Sequence, residues 1–502
     1  MPETVAASPF QDHDDVVPLL ADSNEVPKRP TPLPKLQIII VLLTSLIEPV
    51  SSQCILPFIN QAISVLWQLV AELDITGGDK RKVGYYAGLI ESLFFATQAL
   101  TALQWSRLSD HVGRKPVLLI GTFGLCLSMI CFGLSRTFWS LVVSRCITGA
   151  LNGNIGVMKS MMGELTDATN RAQGFAFHPI AWSTGVILGP IIGGSLSRPQ
   201  DQFPTLFSGA FWGEYPYFLP CCVAAMFSAA TFLVVLFFLN ETLPGTFFYK
   251  PPLSSLDREV SSPGRGYGAV KNLHSVRLES NGQDAPMPLR SLLIPKVLLP
   301  IACYGTVAIL EISMLALQPL FFSTPIELGG LDFTPATIGI WMSFLGVGNA
   351  IFQAIFFARL VSKHGPKTMY RIAHGSFVVI FALFPITSWV ARTSGINWLV
   401  RLLLSFQVCF NVLQETSFTC IMMYIIASAP NQRTLGAVNG LSQTTASIVR
   451  AIGPALATSM FAYSLQYNIL GGYAVYLVMI LLTLVTAKLG AMLPADPGQQ
   501  AW

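Results

Sequence analysis

WSRLSDHVGRKP, residues Trp105 to Pro116, gathers three basic residues, one acid and one histidine into twelve positions between two long apolar runs. The run before it, 83–105, and the run after it, 117–135, each match the roughly 20 mostly apolar residues that a bilayer crossing takes. A charged loop this short between two spans belongs at a membrane face, on the side where Lys and Arg collect. Within it Asp110 stands four residues before Arg114. Its carboxylate can pair with that guanidinium or with a helix end, and so latch one side of an assembly of helices. Asp110 is read as a surface charge of this loop, whose loss would cost little stability.

Further runs of the same kind lie outward from the loop. The first six are expected near 36–57, 83–105, 117–135, 138–161, 172–196 and 215–239. The second six fall near 297–320, 336–358, 370–391, 397–427, 437–463 and 471–493. The expected organisation is a tail at 1–35, a six-helix bundle at 36–240, a polar Pro-, Gly- and Ser-rich linker at 241–296, a second bundle at 297–493 and a short end at 494–502. Met1–Pro34 is acidic and Pro-rich without an apolar stretch, so it reads as a disordered tail and not as a secretory signal. Inside it, Asp15, Leu19 and Leu20 fit an acidic dileucine sorting pattern.

Composition agrees. Only 11% of the 502 residues are charged and 52% are hydrophobic, with a mean hydropathy of +0.57. A soluble domain carries about 25% charged residues, so lipid must be the solvent for most of this surface. The net charge of +4 is too small to suggest nucleic acid. Of 30 Lys and Arg, 20 fall in the tail, the linker and the loops on the tail's side of the spans, against six on the other side. The positive-inside rule then places both termini in the cytosol. The nine cysteines have no CxxC spacing and no accompanying His pattern, so a metal site is not expected. No nucleophile–base pair or phosphate loop suggests an enzyme, and no cofactor is expected.

The two sets of six echo each other. RLSDHVGRKP at 107–116 returns as RLVSKHGPKT at 359–368, and Arg171-x-x-Gly174 leading to Gly189-Pro190 returns as Arg433-x-x-Gly436 leading to Gly453-Pro454. Repeats of this kind build transporters whose central site lies between two bundles.

Asp110, Gly113, Arg114 and Lys115 resemble the signature loop of the major facilitator superfamily, G-x-x-x-D-x-x-G-R-K, with Ser106 at the position of the first Gly. Gly185-x-x-x-Gly189-Pro190-x-x-Gly193-Gly194 resembles the antiporter motif of its drug:proton exporters, and Arg145-x-x-x-Gly149 resembles its proton-associated motif. Together with VGYYAGLIESLFFATQAL before the loop, these motifs look like fungal members of the superfamily close to the plant zinc-induced facilitator-like proteins. The resemblance implies an all-α fold of twelve membrane helices in two bundles, alternating access and proton-coupled export of small organic molecules such as drugs or secondary metabolites. A uniporter or symporter for nutrients, organic anions or metal chelates is the rival within the superfamily. A monomer in the lipid bilayer is expected, in the plasma membrane first, with the vacuolar or endosomal membrane as the alternatives that the dileucine pattern offers. The Cys-rich motif that the plant relatives carry near the first helix is reduced here to Cys54.

Polar residues inside the spans are the candidates for the site. Glu48 and Glu311 both fall near mid-membrane, 263 residues apart, close to the repeat offsets. Desolvation at that depth favours the protonated acid, which suits a proton carrier, with Arg145 as a cation that could draw near. Pro49 is expected to open the first helix beside Glu48. Gln53, Gln98 and Asn152 in the first half, and Gln318, Asn349, Gln353, Asn411, Glu415 and Gln443 in the second, are expected to line the cavity. For each amide an interhelical hydrogen bond is an equal alternative.

Overall fold

In a lipid interior every backbone N–H and C=O must be satisfied within the chain, and helices do this residue by residue. The computed structural model describes residues 31–69, 81–167, 169–243, 288–333 and 335–497. Most of the expected tail and linker, with Asp15, Leu19 and Leu20, lies outside the described residues.

Among the described residues, twelve helical segments are arranged as membrane spans. In the first half they are α1 Lys35–Leu69, α2 Arg81–Val112, α3 Arg114–Gly133, α4 in two pieces (Phe138–Leu151 and Asn154–Leu165), α5 Arg171–Leu196 and α6 Phe218–Phe238. In the second they are α7 Pro295–Ser323, α8 Pro335–Phe352 continued by Gln353–Phe357 and Ala358–His364, α9 Pro366–Ser394, α10 Trp398–Ser428, α11 Leu435–Gln466 and α12 Ala474–Ala491. Among the described residues, ten of these are long and apolar enough to cross on composition alone. The other two are α2 and the broken α4.

The break in α4 departs from the continuous span expected at 138–161, and its cause is visible. Helix α2 presses so closely that a Cβ on Gly149 would lie 2.3 Å from the Phe94 carbonyl, and one on Gly153 the same distance from the Trp105 side chain. The carbonyls freed at the break are taken up from α2. Trp105 Nε1 donates to Ala150 O at 2.7 Å and Gln98 Nε2 to Asn152 O at 3.4 Å. By contrast α1 runs unbroken through Pro49, so the local opening expected there does not occur. Helix α8 instead relaxes in a single wide π turn at Gln353–Phe357.

The helices form two bundles of six. In the first, α1 packs on α5 and α6, α3 on α4 and α6, and α2 on α4; in the second, α9 packs on α10 and α12, and α7 on α10 and α11. Between bundles the main seams are α2 with α11 and α5 with α8. Large apolar side chains such as Phe123, Trp139, Ile191, Phe237, Trp389 and Val485 stay exposed on the outside, where lipid, not water, meets them.

Candidate transport site

Between the bundles lies a central cavity of about 80 Å³, smaller in this arrangement than a site filled by a drug-sized molecule. Its wall carries three carboxylates and two cations from α1, α4, α7, α10 and α11: Glu48, Lys159, Glu311, Glu415 and Arg450, besides His178 and Tyr304. Charges at such depth are expensive and mark pathways for substrate or ions. Arg450 Nη2 lies 3.8 Å from Glu311 Oε2. Glu415 accepts from the neighbouring Gln414 amide at 2.8 Å. Lys159 is almost wholly buried, and its ammonium donates to Gln443 Oε1 at 3.0 Å and the Tyr304 hydroxyl at 3.2 Å. It also stands over the rings of Tyr304 (4.9 Å) and Phe418 (5.4 Å). His178, Trp182 and Met158 complete the more apolar side.

Toward the Asp110 end the cavity is sealed by a ladder of bonds along one face of α11. Asp110 accepts from Gly436 N at 2.8 Å and Ala437 N at 2.7 Å, Asn439 Nδ2 donates to Ser160 Oγ at 2.9 Å, Gln443 meets Lys159, and Ser447 Oγ donates to Gln98 at 2.8 Å. Positions 436, 439, 443 and 447 recur at three- and four-residue steps, so they share one helix face. Between these rungs α2 and α11 nearly touch. A Cβ on Gly440 would lie 2.6 Å from that of Ser106, and one on Gly436 would lie 2.3 Å from Asp110 Oδ1. The Ser that stands for Gly at 106 is thus accommodated by glycines on its neighbours, Gly440 and also Gly156.

The signature loop is a buried charge network. Asp110 is only 2% exposed, which corrects its assignment as a surface charge: it is pressed between α2, α3 and the start of α11. It accepts from Arg114 Nη1 at 2.7 Å, while Arg114 also donates to Ser109 and to Glu164 (2.9 Å). The carboxylate of Glu241 then accepts the free N–H groups of Arg114 and Lys115, both at 3.0 Å, at the start of α3, where the helix dipole favours an anion. Gly113 turns the chain at φ +114°, and a Cβ there would meet Glu241 Oε2 at 2.6 Å. In the second-half echo Ser362 occupies the position of Asp110 and donates to Arg359 O, and among the described residues it makes no bond to the other bundle.

The glycines of α5 bring α1 close. A Cβ on Gly185, Gly189 or Gly193 would collide with Pro49, Gln53 or the Cys54 carbonyl, whereas Gly194 has open space. Pro190 lies within the same stretch of α5.

Of the residues anticipated from sequence, Glu48, Glu311, Asn349, Glu415 and Gln443 come together on the cavity wall. Arg145 does not. Its Nη2 donates to Ser52 Oγ at 3.1 Å and its guanidinium covers the Phe94 ring at 4.8 Å; the cations facing the cavity are Lys159 and Arg450. Gln98 and Asn152 belong to the α2–α4 break, and the stem of Gln53 packs where Gly189 passes. Gln318, Asn411 and, in the π turn at the α5–α8 seam, Gln353 are buried but do not line the cavity, each with side-chain atoms that find no hydrogen-bond partner among the described residues. Lys159, Arg450 and His178 were legible only as polar residues inside apolar runs, and nothing local marked Tyr304, Trp182 or Phe418 as a wall.

Residues 42–454 match the family model described as Major Facilitator Superfamily. The chain belongs to that superfamily. It is therefore a multi-pass membrane transporter and not an enzyme. Its relatives include Efflux pump azaK of Aspergillus niger, 28% identical with 97% of this chain and 93% of that protein covered. They include Protein ZINC INDUCED FACILITATOR-LIKE 1 of Arabidopsis thaliana, 30% identical with 85% and 83% covered. The crystal structure of the human organic anion transporter MFSD10 shares the fold, with a TM-score of 0.67 over 92% of this chain and all of that one, at 22% identity.

Proposed function

We propose that this transporter is a proton-coupled antiporter that exports small organic molecules from the cytosol by alternating access. It works as a monomer in the plasma membrane with both termini cytosolic, so the Asp110 end faces the cytosol. The observation that carries the reading is the convergence of Glu48, Glu311 and Glu415 on one membrane-buried cavity built from both bundles. A carboxylate there can exchange a proton for cargo as access alternates. The Asp110 ladder would hold the cytosolic side shut in one state, and the α1–α5 glycine seam would let α1, with Glu48, move against its neighbour. The similarity to a fungal efflux pump supports export.

Proteoliposomes with an imposed pH gradient, tested against a panel of drugs, weak acids and amines, address the proposal directly. Glu48→Gln mimics the protonated acid, so substrate should still bind while pH-driven transport disappears. If Glu48→Gln and Glu311→Gln both keep pH-driven transport, neither carries the proton, and Glu415 or Glu91 takes that role. Transport indifferent to the gradient in the parent protein would make it a uniporter instead.

A further inference from the structure

The cavity holds three carboxylates, yet among the described residues none lies within ion-pair distance of Lys159. A buried ammonium would be expected to seek one. It rests instead in a neutral cage: two ring faces, a hydroxyl and an amide oxygen. Ring faces and uncharged oxygens are the set by which proteins recognise organic ammonium groups. The parts have a telling distribution. Tyr304, Phe418 and Gln443 come from α7, α10 and α11, all in the second bundle, whereas Lys159 reaches in from α4 of the first. The cage and its occupant are carried by the two bodies that alternating access moves apart.

We propose that Tyr304, Phe418 and Gln443 form an amine subsite for cargo, and that Lys159 fills it while the Asp110 end is closed. The inference rests on the reading that this cavity carries organic cargo, and it names the class: a primary or secondary ammonium on an apolar, aromatic body. When the bundles separate at the Asp110 end, Lys159 leaves with α4 and the cage opens toward the entering molecule. Met158, Trp182 and Ile155 on the wall receive its apolar part. Glu311 and Glu415 also come from the second bundle, as does Arg450, whose guanidinium lies 3.8 Å from Glu311. Lys159 and the cargo amine then compete for one cage, so the closed empty carrier needs no unpaired aromatic pocket, and the bound amine must leave before Lys159 can return.

The competition is measurable without a proton gradient, which separates it from the coupling reading. The full chain in lipid nanodiscs is titrated with 4-phenylbutylamine, 4-phenylbutanol and 4-phenylbutyrate, a cation, a neutral and an anion of one shape. The amine should bind at least tenfold tighter than the other two. Lys159→Met removes the competitor and should raise amine affinity about tenfold or more, since a competent state that was rare becomes common. Lys159→Arg, which keeps a cation in the cage, should stay within about threefold of the parent. Tyr304→Phe and Gln443→Leu, each made in the Lys159→Met background where no competitor shares the lost bond, should weaken the amine severalfold, the loss of about one hydrogen bond. Melting temperatures identify any variant that fails to fold, and Lys159→Leu then replaces Lys159→Met as the variant without a competitor. The proposal is overturned if Lys159→Met leaves amine affinity unchanged or lowers it, or if no probe binds that variant. It is equally overturned if the butyrate binds tightest and Lys159→Met abolishes it, which would make Lys159 the counter-ion of an anionic cargo.

Discussion

Replacing Asp110 by Asn should unlock the ladder between the bundles. The carboxylate accepts three short bonds, from Arg114 and from the Gly436 and Ala437 amides. Hydrogen bonds to a charged group contribute about 1.5–3 kcal/mol each. Asn keeps one acceptor oxygen but turns the other into a donor that must face an N–H group, so one bond is lost and the rest lose the acceptor's charge. Arg114 retains Glu164 and Ser109, which limits the damage to the fold itself. The arrangement closed at the Asp110 end should therefore lose roughly 2–4 kcal/mol, because its bonds to α11 exist only there. At 1.4 kcal/mol per factor of ten, that is a shift of roughly 30-fold to several hundredfold toward separated bundles. Amide hydrogen exchange in nanodiscs reads it directly, since the Gly436 and Ala437 N–H groups are the donors. Exchange of a peptide covering them should accelerate by a comparable factor, and pH-driven transport should fall sharply. Unchanged exchange in Asp110→Asn would refute the argument, whatever happens to transport.

Gly193→Ala should lower the melting temperature through a cost of about 1–3 kcal/mol from overpacking against the Cys54 carbonyl, while Gly194→Ala, with open space beside it, should stay near the parent. Gly113→Ala combines a positive φ with a contact on Glu241 and should cost about 1–3 kcal/mol, seen in thermal unfolding. Asp167, in the loop between α4 and α5, is held down to about 2 by hydrogen bonds from Thr169 and Thr31. A depressed acid adds stability that is complete above its ordinary value near 4 and is lost as pH falls through its folded one. Protection of the Thr31 amide against exchange, relative to its intrinsic rate, should therefore hold at neutral pH and fall between about pH 4 and 2; Asp167→Asn should lower it at neutral pH.

The sequence by itself was enough for the twelve spans and for the signature loop. Lipid imposes one rule on every segment, a run of about 20 apolar residues, and that rule is written locally along the chain. The same local logic marked Glu48, Glu311 and Glu415, since an acid in an apolar run is conspicuous wherever its side chain points. It could not say that α4 breaks, because the break answers the pressure of α2 some 45 residues earlier. Nor could it separate Gln443, on the cavity wall, from Gln353 or Asn411, buried elsewhere: all three are amides in apolar helices, and only helix rotation and neighbours distinguish them. Asp110 read as a loop charge until α11, more than 300 residues away, closed over it. The tertiary structure also decided which cation faces the cavity, Lys159 and not Arg145, though both lie in α4. That choice depends on what stands opposite each turn of the helix, and the opposing residues come from distant parts of the chain that only packing brings together.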